Sequence, residues 1–120
     1  MSWLYAIGLL DTQPQDSEIM SISSEKKRHY RSLGHKLKPV VMVAGNGLSD
    51  GVVEETLRAL HDHELIKVKF AVGDREVKKE AIAELCNQTQ AELIQTIGNI
   101  ALIYKENKEA KPNLSNVKSF

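Results

Sequence analysis

A short β-rich run that breaks into a glycine-rich turn and then opens into an amphipathic helix constrains the fold of this chain most strongly. The run is Val40–Val43, and the turn after it, residues 44–49, contains Gly45 and Gly47 and ends at Ser49. A strand that passes through so short a turn into a helix is typical of a β-α-β unit. The turn also leaves unpaired backbone N–H groups at the start of the helix, where an anion can bind. We call residues 44–49 the glycine turn.

Hydrophobic periodicity predicts three helices and four strands in the order α-β-α-β-α-β-β. The first helix begins at Ser23 or Ser24, points Tyr30, Leu33 and Leu37 inward, and ends near His35, before Pro39. Ser49 caps the second helix, whose buried stripe is predicted to be Val52, Val53, Thr56, Leu57 and Leu60.

The second half of the chain continues the alternation of helices and strands. Residues 65–72 form a strand that buries Ile66, Val68, Phe70 and Val72 and turns Lys67 and Lys69 to the opposite face. Asp74 caps a third helix to about Asn87, with Val77, Ala81, Ile82 and Leu85 inward. Two last strands, 92–97 and 100–105, flank the hairpin turn Gly98-Asn99.

These elements predict one small α/β domain, a four-stranded mixed sheet with helices packed on it. A chain of 120 residues is long enough for one core and too short for two. We expect the domain at residues 23–105 and a polar tail at 106–120. Residues 1–22 are expected to be a flexible leader, or the product of a mis-assigned start if translation begins at Met20.

The charge of the chain is balanced overall and uneven along its length. It carries 16 basic and 16 acidic residues, but residues 1–22 contain three acids and no base. Residues 26–38 contain no acid and six bases, and we call this stretch the basic segment: Lys26, Lys27, Arg28, Arg31, Lys36 and Lys38. Arg75, Lys78 and Lys79 form a second, weaker patch. Clustered cations next to an anion-binding turn favour nucleic acid over a small metabolite.

The glycine turn allows several interpretations. A Walker A loop is excluded because no Lys follows Gly51. A dinucleotide-binding fingerprint is close, but the glycine spacing is one residue too long and the chain is too short for the full domain. The turn is then either a plain strand-to-helix connection, in which glycine supplies a positive φ, or a clamp on an RNA backbone.

The basic segment has two interpretations as well. Its cations either solvate the outer face of an amphipathic helix or contact phosphates, which would relieve their mutual repulsion. A rival function is a protein-interaction module without direct RNA contact. A small-molecule enzyme is a third possibility, which an enclosed apolar pocket above the glycine turn would favour.

Other residue types give no sign of catalysis, metal binding or membrane insertion. Cys86, the only cysteine, falls in a predicted helix and is expected to be a small hydrophobic residue. The histidines of His61-Asp62-His63-Glu64 point apart on a helix, so we expect them to stabilise a helix C-terminus rather than bind zinc. We expect no catalytic residues, cofactor or membrane partner, and a monomeric cytoplasmic protein.

Several stretches together resemble a known family. They are Lys38-Pro39-Val40-Val41-Met42-Val43-Ala44-Gly45-Asn46-Gly47-Leu48-Ser49-Asp50-Gly51-Val52, then His63-Glu64-Leu65-Ile66-Lys67-Val68-Lys69, Asp74-Arg75-Glu76 and Gln95-Thr96-Ile97-Gly98. In unbroken order, from about Ser23 to Lys105, the chain is similar to stand-alone bacterial CRM domains of the YhbY type.

The resemblance implies a fold similar to the C-terminal domain of translation initiation factor three. It also implies binding to ribosomal RNA in precursors of the large subunit, as an assembly factor. The family's Gly-x-x-Gly loop falls on residues 44–47, where Ala44 replaces the first glycine. Together with the charge pattern, the resemblance predicts an RNA-binding surface made of Lys26, Lys27, Arg28, Arg31, Lys36, Lys38, Ala44, Gly45, Asn46, Gly47 and Ser49. Lys67 and Lys69 extend this surface if a helix leaves their face of the sheet open.

Overall fold

The chain forms the predicted α/β arrangement in a computed structural model that describes residues 23–45 and 47–118. The predicted leader and Asn46 lie outside these described residues. The elements are α1 (Ser24–Gly34), β1 (Pro39–Val43), α2 (Asp50–His63), β2 (Leu65–Phe70), α3 (Arg75–Thr89), β3 (Glu92–Ile97) and β4 (Ile100–Tyr104). No helix in this part of the chain is long and apolar enough to cross a bilayer.

The four strands form one mixed sheet in the order β1-β2-β4-β3. β1 and β2 are parallel, and Val43 pairs with Phe70 near their carboxyl ends. β4 is antiparallel to both β2 and β3, so that Ile100 pairs with Lys69 and Tyr104 pairs with Glu92. The strand pairs thus confirm the mixed sheet that the sequence predicts.

Helices cover the two faces of the sheet unequally. α2 and α3 pack on one face over the main core, which includes Val43, Leu60, Val68, Phe70 and Leu85. Of the described helices, α1 is the one that packs on the other face, where Tyr30 joins a smaller core with Leu65, Leu102 and Tyr104. The missing side chain of Gly34 lets α1 approach the sheet, because a Cβ there would lie 2.6 Å from Leu102 Cδ2.

Two predicted core residues are more exposed than expected. Val77 is 48% exposed, because α3 turns the side of the helix that carries Ile82, Leu85 and Thr89 toward the core. Leu57 is 37% exposed and lies at the margin of the α2 interface rather than within it.

The C-terminal segment, residues 106–118, contains no helix or strand, yet it packs against the domain. The backbone N–H of Asn116 donates to the carbonyl of His63 at 2.8 Å, and its side chain donates to the carbonyl of Leu65 at 2.6 Å. Ala110 and Ser115 are buried. The structure therefore differs from the predicted polar tail, since this segment completes the packing at the end of α2.

Glu64 anchors that segment from a buried position between α2 and β2. It is 1% exposed and takes a positive φ of 64° at the helix end. One carboxylate oxygen accepts from the Asn107 N–H at 2.7 Å, and the other accepts from Ser115 Oγ at 2.8 Å and lies 3.0 Å from Lys118 Nζ. Burial by itself raises the pKa of Glu64, but these donors outweigh it and hold the pKa below 4.5.

Candidate nucleic-acid interface

One edge of the sheet gathers the glycine turn with two other connections. Because β1 and β2 are parallel, the connections that follow them, into α2 and α3, leave at the same edge. The Ala71 N–H donates to the Val43 carbonyl at 2.8 Å, and the Phe70 N–H donates to the Asn99 carbonyl at 2.7 Å. The 98–99 hairpin turn therefore lies at this edge too, which we call the turn edge.

The glycine turn is closed by one backbone hydrogen bond. The Gly47 N–H donates to the Ala44 carbonyl at 3.0 Å, and Gly47 takes a φ of +93°. Ala44 is not among the described residues with positive φ, so alanine fits there without backbone strain. A Cβ at Gly45 would lie 3.7 Å from the Ala71 carbonyl oxygen, an ordinary contact. Of the two glycines in this turn, it is Gly47 whose conformation requires glycine.

The N-terminus of α2 follows directly. Ser49 is its N-cap, as predicted, and its Oγ accepts from the Val52 N–H at 3.2 Å. The N–H groups of Asp50 and Gly51 point out of the first turn without a partner within the helix. Among the described residues, a Cβ on Gly51 would lie near Ser49 Oγ alone, at 3.9 Å, an ordinary contact. The positive end of the helix dipole thus faces the turn edge, where the Asp50 carboxylate moderates its attraction for anions.

The first half of the basic segment is separated in space from the glycine turn, although the two are close in sequence. Lys27 Nζ lies 3.7 Å from the Glu92 carboxylate, and Glu92 pairs with Tyr104 at the edge opposite the turn edge. The first half of α1, which also carries Lys26 and Arg28, is therefore about one strand length, ~17 Å, from the glycine turn. β1 accounts for this separation, because it carries the chain from one edge to the other.

Lys67 and Lys69 lie between these two places on the α1 face of β2. α1 covers this face over Leu65, Ile94, Leu102 and Tyr104. Lys67 is half-buried and borders a cavity of about 130 Å³ beside Gly34 and His35 at the end of α1. Lys69 is exposed. Among the described residues, α1 thus covers one end of this face and leaves Lys69 exposed at the other end.

The open part of that face is apolar as well as basic. Met42 pairs with Lys69 across the β1–β2 ladder and is 58% exposed, and Val40 and Ile97 on flanking strands are 49% and 61% exposed. Arg31 is half-buried on α1, while Lys36 and Lys38 are exposed in the connection from α1 to β1. The cations therefore continue from α1 across the sheet to Lys69 near the turn edge.

His63 and Cys86, which the sequence analysis also considered, belong to the structure of the domain rather than to a binding site. His63 Nδ1 donates to the Leu114 carbonyl at 2.7 Å and so helps to attach the C-terminal segment. Burial raises the pKa of Cys86 to about 11, which keeps its thiol protonated. Within residues 23–45 and 47–118, no group of three or more His, Cys, Asp or Glu side chains could hold a metal ion.

A groove between α3 and β3 is a feature that the sequence does not predict. It has a volume of about 570 Å³, and its lining includes the weaker basic patch of Arg75, Lys78 and Lys79. The i, i+3, i+4 spacing of these bases shows that they share a helix face. Nothing in their spacing shows that β3 stands opposite them.

Comparison with known protein families shows which family the chain belongs to. The family model described as the CRS1 / YhbY (CRM) domain matches residues 22–105. The chain belongs to the CRM domain family. The resemblance noted from its motifs is thereby confirmed.

Two curated CRM relatives match most of their own length. A Pseudomonas aeruginosa protein named "Probable RNA-binding protein" is 48% identical over 101 residues, which cover 84% of this chain and 97% of the relative. A Haemophilus influenzae protein named "RNA-binding protein" is 46% identical over 94 residues, covering 78% of this chain and 95% of the relative.

A solved structure supports the fold of this CRM domain. The solution structure of a hypothetical protein from Staphylococcus aureus matches with a TM-score of 0.67 at 33% identity. The match covers 76% of this chain and 95% of that one.

Proposed function

We propose that this CRM domain binds ribosomal RNA in precursors of the large ribosomal subunit and acts there as an assembly factor. Relatives named as RNA-binding proteins support RNA as the partner. We infer that this RNA belongs to precursors of the large subunit because the motifs resemble those of the YhbY type. We further propose that the protein works in the cytoplasm as a monomer and without catalysis.

The observation that carries the proposal is a set of cations with almost no compensating acid. Of the six bases in the basic segment, only Lys27 has an ion-pair partner in the part of the chain that the structure describes. Uncompensated cations on an exposed surface attract a polyanion and release its counterions on binding. The open end of the sheet face extends this surface through Lys69 to the turn edge.

The proposed mechanism divides the RNA contacts between two parts of this surface. The N–H groups at the start of α2 hold a phosphate, next to the backbone of Gly45, Asn46 and Gly47. The bases of α1 and of the connection to β1, together with Lys67 and Lys69, follow the neighbouring phosphates. No tryptophan, tyrosine or phenylalanine lies among these residues, so we expect recognition of RNA shape rather than of sequence.

Salt dependence and charge reversal test direct RNA contact. The full chain is titrated with a fragment of large-subunit precursor RNA between about 50 and 200 mM salt, where several phosphate contacts weaken binding by orders of magnitude. The double variant Lys26→Glu/Arg31→Glu should bind more weakly and show a shallower salt dependence. The matched control Lys108→Glu/Lys111→Glu reverses the same charge on the C-terminal segment and should bind like the native chain.

A flat salt response, or native affinity in the Lys26→Glu/Arg31→Glu variant, would instead favour a protein-interaction module on the ribosome. Crosslinking in cells, followed by sequencing of the bound RNA, tests whether the protein binds large-subunit precursors. Recovery of large-subunit precursor RNA supports the assembly role. Recovery of messenger or transfer RNA alone contradicts it.

A further inference from the structure

The groove between α3 and β3 has the size and shape of a ligand site. Its volume of about 570 Å³ falls within the range of pockets that bind small organic molecules. One wall is the face of α3 that carries residues 75, 78, 79, 82 and 83, and the other is β3. We call it the α3–β3 groove.

The chemistry of the α3–β3 groove is divided between its floor and its rim. Ile82, Ala83 and Leu93 give an aliphatic floor, and Leu93 is 38% exposed although its side chain is large and apolar. The rim carries the three bases of α3, and the described residues of the lining include no acid. A ligand that suits both parts has an apolar surface and a negative charge.

The three bases on the rim differ in what holds them. Lys78 Nζ donates to the Gly98 carbonyl at 3.2 Å and to Asn99 Oδ1 at 3.0 Å, which ties the start of α3 to the hairpin turn. Arg75 and Lys79 have no ion-pair partner among residues 23–45 and 47–118. Lys78 thus fixes the shape of the rim, and the other two cations remain available to an anion.

β3, which forms the second wall of the α3–β3 groove, is an edge strand. β3 pairs with β4 on one side and has no second partner among the described strands. An edge strand presents backbone N–H and C=O groups that are free to form hydrogen bonds. Such donors and acceptors match the edge of a nucleobase, which carries both kinds of group.

The α3–β3 groove is also aligned with the glycine turn. Its lining reaches Gly98, which lies at the turn edge with the ends of β1 and β2. From β1 to β3 the sheet spans three strand spacings, ~14 Å in all. An RNA strand held at the glycine turn can therefore follow this edge to the rim cations.

We propose that the α3–β3 groove binds an unpaired nucleotide of the same RNA. The base lies on the aliphatic floor against the edge of β3, and the adjoining phosphate contacts Arg75 and Lys79. This inference rests on the proposed RNA-binding function and adds a preference for single-stranded segments. The lack of an acid in the lining and the position at the turn edge favour RNA over an acidic protein segment.

The test compares two RNA probes and two groove variants of the full chain. One probe is a hairpin with a single-stranded extension of twelve nucleotides, and the other is a blunt duplex of equal length. Arg75→Ala/Lys79→Ala removes the rim cations, and Leu93→Glu places a carboxylate on the floor. The matched control Lys108→Ala/Lys111→Ala removes two cations elsewhere.

We expect each groove variant to bind the extended hairpin about tenfold more weakly, with less than a threefold change for the duplex. The control should bind both probes as the native chain does. Both rim residues are exposed, so the rim variant should fold even if Leu93→Glu does not. Urea unfolding of each variant verifies this.

Three outcomes overturn the inference. Native affinity of the rim variant for the extended hairpin shows that the groove does not hold RNA, even where Lys26→Glu/Arg31→Glu confirms the basic surface. Loss of precursor-particle binding with unchanged RNA affinity shows instead that the groove takes an acidic protein partner. If the native chain binds neither probe, this inference and the proposed function fail together.

Discussion

At the scale of single residues, Gly47 is the position in the glycine turn where conformation dictates the amino acid. Its φ of +93° is costly for any residue with a Cβ, whereas Gly45 and Ala44 do not take positive φ. We predict that Gly47→Ala lowers the free energy of unfolding by about 1 to 2 kcal/mol. Gly45→Ala should change it by less than about 0.5 kcal/mol. Urea unfolding measures both, and equal losses in the two variants would contradict this assignment.

Glu64 gives the second prediction at this scale. Glu64→Gln keeps the shape of the side chain but loses charge-assisted hydrogen bonds, so we expect a loss of about 2 kcal/mol in the free energy of unfolding at pH 7. Because the folded state lowers the pKa of Glu64 below 4.5, its carboxylate stabilises the fold above that pH and loses the contribution as pH falls further. The native chain and the variant should therefore converge in acid. A difference that stays constant from pH 7 to pH 3 would rule out the carboxylate as its source.

At the scale of elements, the C-terminal segment behaves as part of the domain. We predict that truncation after Lys105 destabilises the fold by about 3 to 5 kcal/mol, because it leaves the buried carboxylate of Glu64 without its donors. In the truncated chain, Glu64→Gln should raise the free energy of unfolding, because it removes a buried charge that no longer has its donors. Thermal unfolding of the four chains measures this coupling, and additive losses would contradict it.

Local signals account for the elements that the sequence predicts well. Ser23, Ser49 and Asp74 all cap helices as expected, since an N-cap depends on a side chain and a backbone N–H three residues away. Non-local contacts account for the features that the sequence does not predict. The partners of Glu64 lie 43 and 51 residues further along the chain, in a stretch without periodicity. The distance between the basic segment and the glycine turn depends likewise on the direction of β1.

At the scale of the whole molecule, the candidate RNA surface bends around the sheet. The bases of α1 lie over one face and the bases of α3 lie over the other, with the turn edge between them. Charge changes at two such separate places should act independently on binding. We predict that Lys26→Glu/Arg31→Glu combined with Arg75→Ala/Lys79→Ala loses RNA affinity by the product of the two separate factors. Fluorescence titration at fixed salt measures it, and a much smaller combined loss would mean that both pairs contact the same phosphates.

The buried carboxylate of Glu64 has a consequence for the synthesis of this chain. A ribosome that has just made Glu64 has not yet made Asn107, Ser115 or Lys118, the residues that satisfy it. Until those residues emerge, the end of α2 has a charge that cannot leave water without a large desolvation penalty. The four described strands precede residue 105, so the sheet can form first. Final closure of the fold then waits until residues 107–118 have emerged, so this segment completes folding after the sheet has formed.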